Sequence, residues 1–454
     1  MKKILIIGNG PLPNENTKSR PAAGLRTWQF FEGLRGLDGV KVELVKIGMP
    51  ECYSSGEAHQ EEADGVFSVM KDDPELVSKV QKVCDRVRPD VLIGVNTYPS
   101  YIASRLKTEA AFWADLNGWI MAEGQAQAFK VGNDDYLAHY REMEASIVAR
   151  ADKFSTVSMP QKYALIGELA CGGRLNYQTF DYELVSVVAN GLEWFEGEKE
   201  AFSGGEGDAG VAIERVFQSL PTAAVKALWL GGYNTWMDEE TLFAALENAM
   251  AVNHNLYFIS TGGAIAGLDN KTFANFKARV DGSKFKERFI FMGWVETAKI
   301  PFLYGAADFG LNVDLLCVET LTGARNRLNE MMKFGLPVVT TLGSEIAGEV
   351  QKCGAGVGVK SGDVDALSAA MVAMCEERGF YGEKGRAYIE EVCNYEVTLK
   401  PVVKWLREGA VIAPDRNSRP NFGKSGKIKS AFRYLKENGL GKFLKKLIQR
   451  IRMV

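Results

Sequence analysis

The sequence predicts an α/β protein with two doubly wound, Rossmann-like parallel-sheet domains that face each other across a cleft. Short β-rich segments alternate with helix-length amphipathic segments, and the alternation occurs in two sets. An acidic, glycine-rich segment at 196–210, EGEKEAFSGGEGDAG, separates the sets. Alternation of this kind calls for helices on both faces of a parallel sheet. A chain of 454 residues is long enough to bury two such cores.

Six strands are predicted in each half. Those of the first half are KKILIIG, VKVELVKI, DVLIGVN, AAFWADL, KFSTVS and LVSVVAN. Those of the second half are KALWLGG, LYFISTGG, RFIFMGW, ADFGLNVD, LPVVTTL and GVGVK. Ligands of doubly wound domains bind beyond the carboxyl ends of the strands, so we expect one domain to bind a donor and the other an acceptor.

Charge is distributed unevenly along the chain. Residues 416–454 contain twelve Lys/Arg and one acidic residue, Glu437, for a net charge of +11. The rest of the chain has 42 basic and 56 acidic residues and a net charge of −14. A mildly acidic body with a strongly basic tail indicates that the tail meets an anionic partner.

Several classes of protein are disfavoured. The seven cysteines are scattered without CxxC or CxxH spacing, which argues against a disulfide framework and a structural zinc site. The opening MKKILIIGNG has an apolar run of five residues and no cleavage site of the signal-peptide kind. No segment approaches the roughly 20 apolar residues that span a bilayer. We therefore expect a cytoplasmic protein.

The loop after the first strand, GNGPLPNENTKSRPAAG at 8–24, is a candidate acceptor loop formed by Gly8, Asn9 and Gly10. Glycines allow a ligand to approach the backbone closely. A dinucleotide fingerprint is not met, because Pro13 stands where GxGxxG requires glycine. The length of the loop favours substrate binding over a plain connection.

Asp115 ends the predicted strand AAFWADL, beside an Asn-Gly turn. A carboxylate there could accept the proton of an attacking hydroxyl. The alternative, equally open, is that Asp115 caps the following turn or helix.

Three loops of the second half are candidate donor-binding loops, because each follows a predicted strand. LWLGGYNTWMDEETL supplies a glycine pair and polar residues, STGGAIAG a glycine turn suited to phosphate, and FMGWVET a backbone that could read a nucleobase edge. For Trp236, in the first of these three loops, packing in the core is the alternative. The candidate donor-binding residues of these loops are Gly232, Tyr233, Asn234, Gly262, Gly263, Trp294 and Val295.

The stretch ETLTGARNRLNEMMKFGLPVVTT, at 319–341, packs unusual charge before a strand. A helix is predicted over 323–334, with its N-terminus in the cleft and Asn326 on the face of Glu330. Arg325 or Arg327 would suit the oxygens of a diphosphate, and Glu330 the hydroxyls of a ribose. The alternative is an intrahelical Arg327–Glu330 pair worth only about 0.3–0.5 kcal/mol.

In their order along the chain, these segments resemble the GT-B glycosyltransferases, particularly the bacterial group 1 or family four enzymes. RNRLNEMMKFGLPVVTT is similar to the family's donor helix and the strand after it. Four further segments are similar to the family's segments and follow the same order along the chain: RPDVLIGVN, ADKFSTVSMPQKYA, VVANGLE and FMGWVETAKIPFLYGAADFGLNVD. The family places two glutamates eight positions apart; Thr322 stands at the first position, and Glu319 lies three residues earlier.

The resemblance implies a glycosyltransferase, of the hexosyltransferase type, that moves a sugar from a nucleotide diphosphate sugar to an acceptor hydroxyl. The acceptor would be lipid-linked or a polysaccharide in bacterial surface glycan synthesis. No metal, permanently bound cofactor or nucleic acid partner is expected. Asp115, Glu319 and Arg327 are the expected catalytic residues, with Glu319 holding sugar hydroxyls.

The resemblance also organises the chain into five parts. We expect an acceptor domain at 1–195, a linker and hinge at 196–222, and a donor domain at 223–395. A crossover helix at 396–412 would return to the first domain. A basic amphipathic tail at 413–454 would follow.

The tail ends in AFRYLKENGLGKFLKKLIQRIRMV, whose apolar residues repeat at helical spacing opposite a basic side. This is the composition of a helix that lies in the plane of an anionic membrane, so we expect peripheral attachment to the inner face of the plasma membrane. The alternative is a helix docked on its own body or on a partner subunit. The candidate membrane residues are Phe443, Lys445, Lys446, Leu447 and Arg450.

Two rival functions stay open at this point. A nucleotide-sugar epimerase of the same fold would turn over the donor without an acceptor. A catalytically silent nucleotide-sugar-binding scaffold subunit would recruit a partner to the membrane. The sequence leaves the sugar, the base, the acceptor and the stereochemistry open.

Overall fold

The computed structural model describes residues 1–15, 17, 21–53, 65–202, 216–265, 269–376, 380–418 and 436. Two all-parallel sheets, each covered by helices, confirm the predicted fold class. The descriptions below concern these residues only.

The first sheet has seven strands in the order β3-β2-β1-β4-β5-β6-β7. The edge strand β3 was missed by the sequence analysis, because it is only five residues long and follows a polar, acidic segment. Six helices belong to this domain. The strands are β1 Lys2–Asn9, β2 Val40–Gly48, β3 Val66–Met70, β4 Val91–Val95, β5 Ala111–Leu116, β6 Lys153–Thr156 and β7 Val185–Val187. The helices are α1 Ala22–Arg35, α2 Leu76–Val87, α3 Thr97–Ser104, α4 Ile120–Val131, α5 Leu137–Arg150 and α6 Met159–Cys171.

The second sheet has six strands in the order β10-β9-β8-β11-β12-β13, and all six predicted strands are present. A short helix in the connecting segment, α7 Glu198–Phe202, precedes it. The strands are β8 Val225–Trp229, β9 Leu256–Thr261, β10 Phe289–Gly293, β11 Phe309–Asn312, β12 Val338–Leu342 and β13 Gly356–Lys360. The helices are α8 Glu239–Val252, α9 Lys271–Asp281, α10 Ile300–Ala306, α11 Val318–Thr322, α12 Asn326–Lys333, α13 Glu345–Cys353, α14 Val364–Glu376, α15 Gly382–Val392, α16 Tyr395–Thr398 and α17 Lys400–Arg407.

The strands read as continuous apolar runs because both faces of each sheet are covered. In β1, the side chains of residues 4–7 are all fully buried, alternately against two different core clusters. Clusters on the two faces of the second sheet repeat this arrangement. Each domain therefore has its own core.

The C-terminal helices α16 and α17 pack on the first domain. The rings of Trp405 and Trp113 meet edge to face at 5.3 Å. Gln29 Nε2 donates to Thr398 Oγ1 at 2.8 Å. The chain thus crosses back from the second domain and covers one face of the first sheet.

Direct contacts join the two domains at the carboxyl ends of their strands. Ser158 Oγ donates to the Thr322 carbonyl at 2.7 Å, and Asn190 Nδ2 donates to Asn326 Oδ1 at 2.6 Å. The helix α11 packs against α4 and α6 of the first domain. The loops that follow the strands of both sheets therefore face a common cleft.

Candidate active site

Glycines of three strand-end loops pack on one another at the carboxyl ends of the second sheet. We call this group, Gly231, Gly232, Gly262, Gly263 and Gly293, the glycine floor. Gly231 and Gly262 have φ of +97° and +74°, and a Cβ on Gly262 would lie 2.2 Å from the Gly231 carbonyl oxygen. Gly262 N donates to the Gly293 carbonyl at 2.7 Å, and Tyr233 N to the Gly263 carbonyl at 3.0 Å. A Cβ on Gly232 would overlap Ile265. Larger residues cannot occupy these positions, so the glycines allow three loops to converge.

Arg327 lies directly above this floor. Its Nε donates to the Leu230 carbonyl at 2.6 Å, and its Nη2 to the Gly232 carbonyl at 3.0 Å. The guanidinium carbon stands 3.9 Å from the centroid of the Trp229 ring, a cation–π geometry. Burial lowers the pKa of Arg327, while nearby Asp314 acts to raise it. Two carbonyls and an indole thus fix the cation without neutralising it.

The donor helix α12 begins at Asn326, three residues later than predicted. Gly323 has an extended backbone and Arg325 a non-helical one, and these residues divide the segment into two helices instead of one. Asn326 contacts the first domain through Asn190. Glu330 is buried and accepts from Tyr304 Oη at 3.2 Å.

Arg325 does not point into the cleft, contrary to the expectation that it binds phosphate. Its Nε donates to Asp314 at 2.6 Å, and its two Nη atoms bind both oxygens of Glu319 at 3.0 and 2.6 Å. Burial acts to lower the pKa of Arg325, but the two carboxylates outweigh it and raise the pKa. Arg325 and Glu319 are therefore partners in a buried ion cluster. Both carboxylate oxygens of Glu319 are engaged, so its expected role on sugar hydroxyls is corrected as well.

Tyr233 was expected to bind the donor, but its side chain lies in the core of the second domain. Its ring is fully buried against Trp229 and Phe273, and its hydroxyl lies 2.6 Å from Ser260 Oγ. The apolar character of the ring explains this position, because one polar partner satisfies the hydroxyl. Asn234 stays partly exposed in the same loop.

Trp294 follows β10 and is 55% exposed, beside Gly232 and Ile265. Val295 is partly buried against the core of the domain. The exposed indole therefore forms one side of the glycine floor.

Asp115 is buried in an ion pair of the first domain. Its oxygens accept from Arg26 Nη2 at 2.7 Å and Arg26 Nε at 2.9 Å, and Ser155 Oγ donates to it at 2.6 Å. Asp115 is 0% exposed, so a substrate hydroxyl in the cleft cannot reach it. The expectation that Asp115 acts as the base is corrected, and so is the alternative of a helix cap, since its side chain binds Arg26.

The glycines of the first loop make room for neighbouring side chains, Gly8 for one of α1 and Gly10 for one of β2. A Cβ on Gly8 would lie 2.3 Å from the Thr27 side chain, and one on Gly10 would lie 2.7 Å from the Lys46 side chain. Asn9 lies between them at the end of β1 with a buried Oδ1 that has no hydrogen-bond partner among the described residues. The loop's part in acceptor binding stays a prediction, since residues 16 and 18–20 lie outside the described residues.

Glu123 was missed by the sequence analysis. It lies in the first turn of α4, partly buried, with its carboxylate folded over Gly118. Burial and the charge of Glu319 across the cleft raise the pKa of Glu123 to about 7, against a lowering by Arg325. Its position one turn after the Asn-Gly turn is the only sequence signal that could have found it. Two other residues were missed: Trp229 is the last residue of β8, and Asp314 lies two residues beyond the end of β11.

The expected membrane residues Phe443, Lys445, Lys446, Leu447 and Arg450 lie outside the described residues. Within the described residues, no helix combines the length and apolarity that crossing a bilayer requires. The same residues contain no cluster of three His, Cys, Asp or Glu side chains arranged to hold a metal ion.

Comparison with known proteins finds a family match over the second domain. Residues 227–377 match the family model described as glycosyl transferases group 1. That range begins within β8, continues beyond β13 and includes Arg327. No curated protein matches the chain by sequence.

Solved structures of several glycosyltransferases share the fold. Sucrose-phosphate synthase from Thermosynechococcus elongatus superposes with a TM-score of 0.65 at 15% identity, over 90% of this chain and 99% of its own. Anabaena HepE, solved with UDP-glucose, has a TM-score of 0.61 at 14% identity, over 90% and 100%. WaaG, a glycosyltransferase involved in lipopolysaccharide biosynthesis, has a TM-score of 0.59 at 14% identity, over 88% and 98%. The second domain therefore matches the group 1 glycosyl transferase model, and the chain as a whole shares the GT-B fold of these structures.

Proposed function

We propose that the chain transfers a sugar from a nucleotide diphosphate sugar, bound by the second domain, to an acceptor hydroxyl presented by the first. The observation that carries the proposal is the geometry of Arg327. Its guanidinium is held in place by carbonyls and an indole, which leave its positive charge uncompensated above a glycine floor. Glycines let an anionic ligand approach the backbone closely at that point.

Departure of the nucleoside diphosphate places negative charge beside Arg327. A fixed cation in a partly buried site stabilises such charge more than it would in water, and it needs no reorganisation during the reaction. Glu330 would accept hydroxyls of the donor ribose, and the exposed face of Trp294 would contact the base. Anabaena HepE, which shares this fold, was solved with UDP and with UDP-glucose, so a uridine diphosphate sugar is the first donor to test.

We propose Glu123, in place of Asp115, as the group that accepts the proton of the acceptor hydroxyl. It belongs to the first domain and lies on α4, which packs against α11, the helix of the second domain that carries Glu319. A base with a pKa near the working pH combines a populated carboxylate with a sufficient driving force for proton transfer.

We also propose a class of acceptor and a location for the enzyme. The acceptor is a lipid-linked or polysaccharide hydroxyl of surface glycan synthesis, and the reaction proceeds without a metal. The basic tail holds the enzyme on the inner face of the plasma membrane. WaaG, a neighbour in fold, acts in lipopolysaccharide biosynthesis, which supports this class of acceptor.

The proposal is tested by thermal unfolding with a panel of nucleotide sugars, followed by transfer assays with the best binder. A donor present at 100 times its dissociation constant should raise the free energy of unfolding by about 2.7 kcal/mol. Turnover that requires an acceptor and persists in EDTA is the expected result. Turnover of the donor to an epimer without any acceptor would favour the epimerase instead. Binding without turnover would favour the scaffold.

A further inference from the structure

The loop between α6 and β7 presents large apolar side chains to solvent. Tyr177 is 88% exposed, Phe180 is 87% exposed and Leu175 is 50% exposed. The segment after α17 adds Val411 and Ile412, which are 49% and 43% exposed. We name these five residues the exit patch, because the basic tail follows a few residues later.

The two segments form one surface. Tyr182 Oη donates to the Val411 carbonyl at 2.9 Å, and Gln178 Nε2 donates to the Pro414 carbonyl at 3.5 Å. Ser418, the last residue before the tail at 419–454, donates from its Oγ to the side chain of Gln178. The tail therefore starts beside the exposed aromatic rings.

A buried ion pair fixes this surface to the body of the first domain. Arg174 is 1% exposed and binds both oxygens of Asp415 at 2.7 and 3.2 Å. The same guanidinium donates to the carbonyls of Val148 and Ala151 at 2.6 and 2.9 Å. The rings of Tyr177 and Phe180 are thus held outward by a well-supported loop. Clustered apolar exposure on a rigid support is typical of a contact surface.

Charge on this side of the molecule suits an anionic partner. The tail at 419–454 has eleven Lys/Arg and one glutamate, for a net charge of +10. The carboxylate of Glu183, beside the loop, is paired with Lys153 at 2.9 Å and Lys162 at 3.5 Å. Exposed Asp181 adds one negative charge, which the tail outweighs.

We propose that the exit patch inserts into the headgroup region of an anionic bilayer, next to the basic tail. Aromatic side chains are favoured at the membrane interface, and each lysine or arginine near the surface adds attraction to anionic lipid. This inference rests on the membrane part of the proposed function and deepens it by naming the residues of the folded body that contact lipid. The patch fixes which side of the first domain faces the bilayer.

The test uses the full chain and vesicles of equal parts phosphatidylcholine and phosphatidylglycerol. The double variant Tyr177→Ser with Phe180→Ser should bind these vesicles at least tenfold more weakly, which corresponds to about 1.4 kcal/mol. Phe129→Ser is the matched control, because that ring is 80% exposed at another place on the first domain and should bind like the wild type. Thermal unfolding and its shift by the best nucleotide sugar should be equal in all three proteins.

Hydrogen exchange on the same vesicles gives a second readout. Backbone amides of residues 175–180 should gain protection when vesicles are added. Equal exchange of these amides with and without vesicles would overturn the inference.

The outcomes separate the inference from the proposed function. Equal vesicle binding by the wild type and the double variant, or an equal loss in Phe129→Ser, would overturn the exit patch and leave the proposed function intact. A wild type that transfers sugar but does not bind the vesicles would remove the membrane part of the proposed function, and the exit patch with it. A wild type that binds vesicles but turns over no sugar would contradict the transfer reaction alone.

Discussion

Arg325 and Arg327 stand two residues apart, yet their guanidinium groups meet opposite surroundings. Arg325 is enclosed by two carboxylates, Asp314 and Glu319, which cancel its charge. Arg327 is held by two carbonyl oxygens and an indole, which orient the group but leave its charge available. The same residue type therefore stabilises the fold at one position and remains available for an anion at the other.

The first domain contains a further arginine whose charge is neutralised. Arg26 binds both oxygens of Asp115, and both side chains are almost completely buried. Asp115 and Glu319 were expected to act on substrates, and both are engaged by arginines instead. A carboxylate at a strand end is thus a poor sign of catalysis when a buried arginine lies within reach.

Asp115→Asn should cause the largest loss of stability among these variants. The amide cannot balance the buried charge of Arg26, and breaking a buried pair costs about 3–5 kcal/mol. Chemical denaturation measures the loss, and the turnover of the folded fraction should be close to that of the wild type. Unchanged stability combined with lost turnover would return Asp115 to the role of base.

Arg327→Ala should lower turnover by two to three orders of magnitude, since one lost electrostatic contact of this kind costs about 3–4 kcal/mol. Donor transfer under saturating substrate measures the effect. Arg325→Ala is the contrasting variant: it leaves two buried carboxylates unpaired and should lower the free energy of unfolding. If Arg327→Ala turned over sugar at a nearly normal rate, Arg327 would not contact the diphosphate.

Glu123→Gln should lower turnover on the order of a hundredfold, at the lower end for a general base. Burial and Glu319 raise the pKa of Glu123 to about 7, and only the deprotonated form accepts a proton. The kcat/KM of the wild type should therefore rise with pH up to about 7 and then level off, and the variant should lack that rise. An unchanged rise in the variant would assign it to another group.

Glu144→Gln should change the pH dependence of stability and leave turnover unaffected. Burial and the neighbouring Glu168 raise the pKa of Glu144 to about 9, so the folded protein keeps a proton that the unfolded chain releases near pH 4.5. The free energy of unfolding should fall between these values as pH rises, by at most about 1.4 kcal/mol per pH unit. The variant carries no such proton, so its denaturation should depend less on pH. Parallel pH curves for the two proteins would contradict the shifted pKa.

The sheets could be predicted because their strands are buried on both faces and therefore read as short apolar runs. The helix predicted over 323–334 was too long, since Gly323 and Arg325 are non-helical and the side chain of Arg325 binds Asp314 and Glu319. Asp115 and its partner Arg26 are separated by 89 positions, and Glu123 faces Glu319 of the other domain. Sequence spacing contains no information about such pairings. The sequence therefore indicated the strand-end loops that surround Arg327, but not the partner that engages each charge.

The helix α12 contacts a different part of the molecule at each end. Its first residue, Asn326, contacts Asn190 of the first domain, and its last, Lys333, forms a buried ion pair with Glu198 of the linker helix. Eight residues of α-helix form a stiff rod about 12 Å long. Because so short a helix is rigid, the contact with Asn190 and the contact with Glu198 are held at a fixed separation.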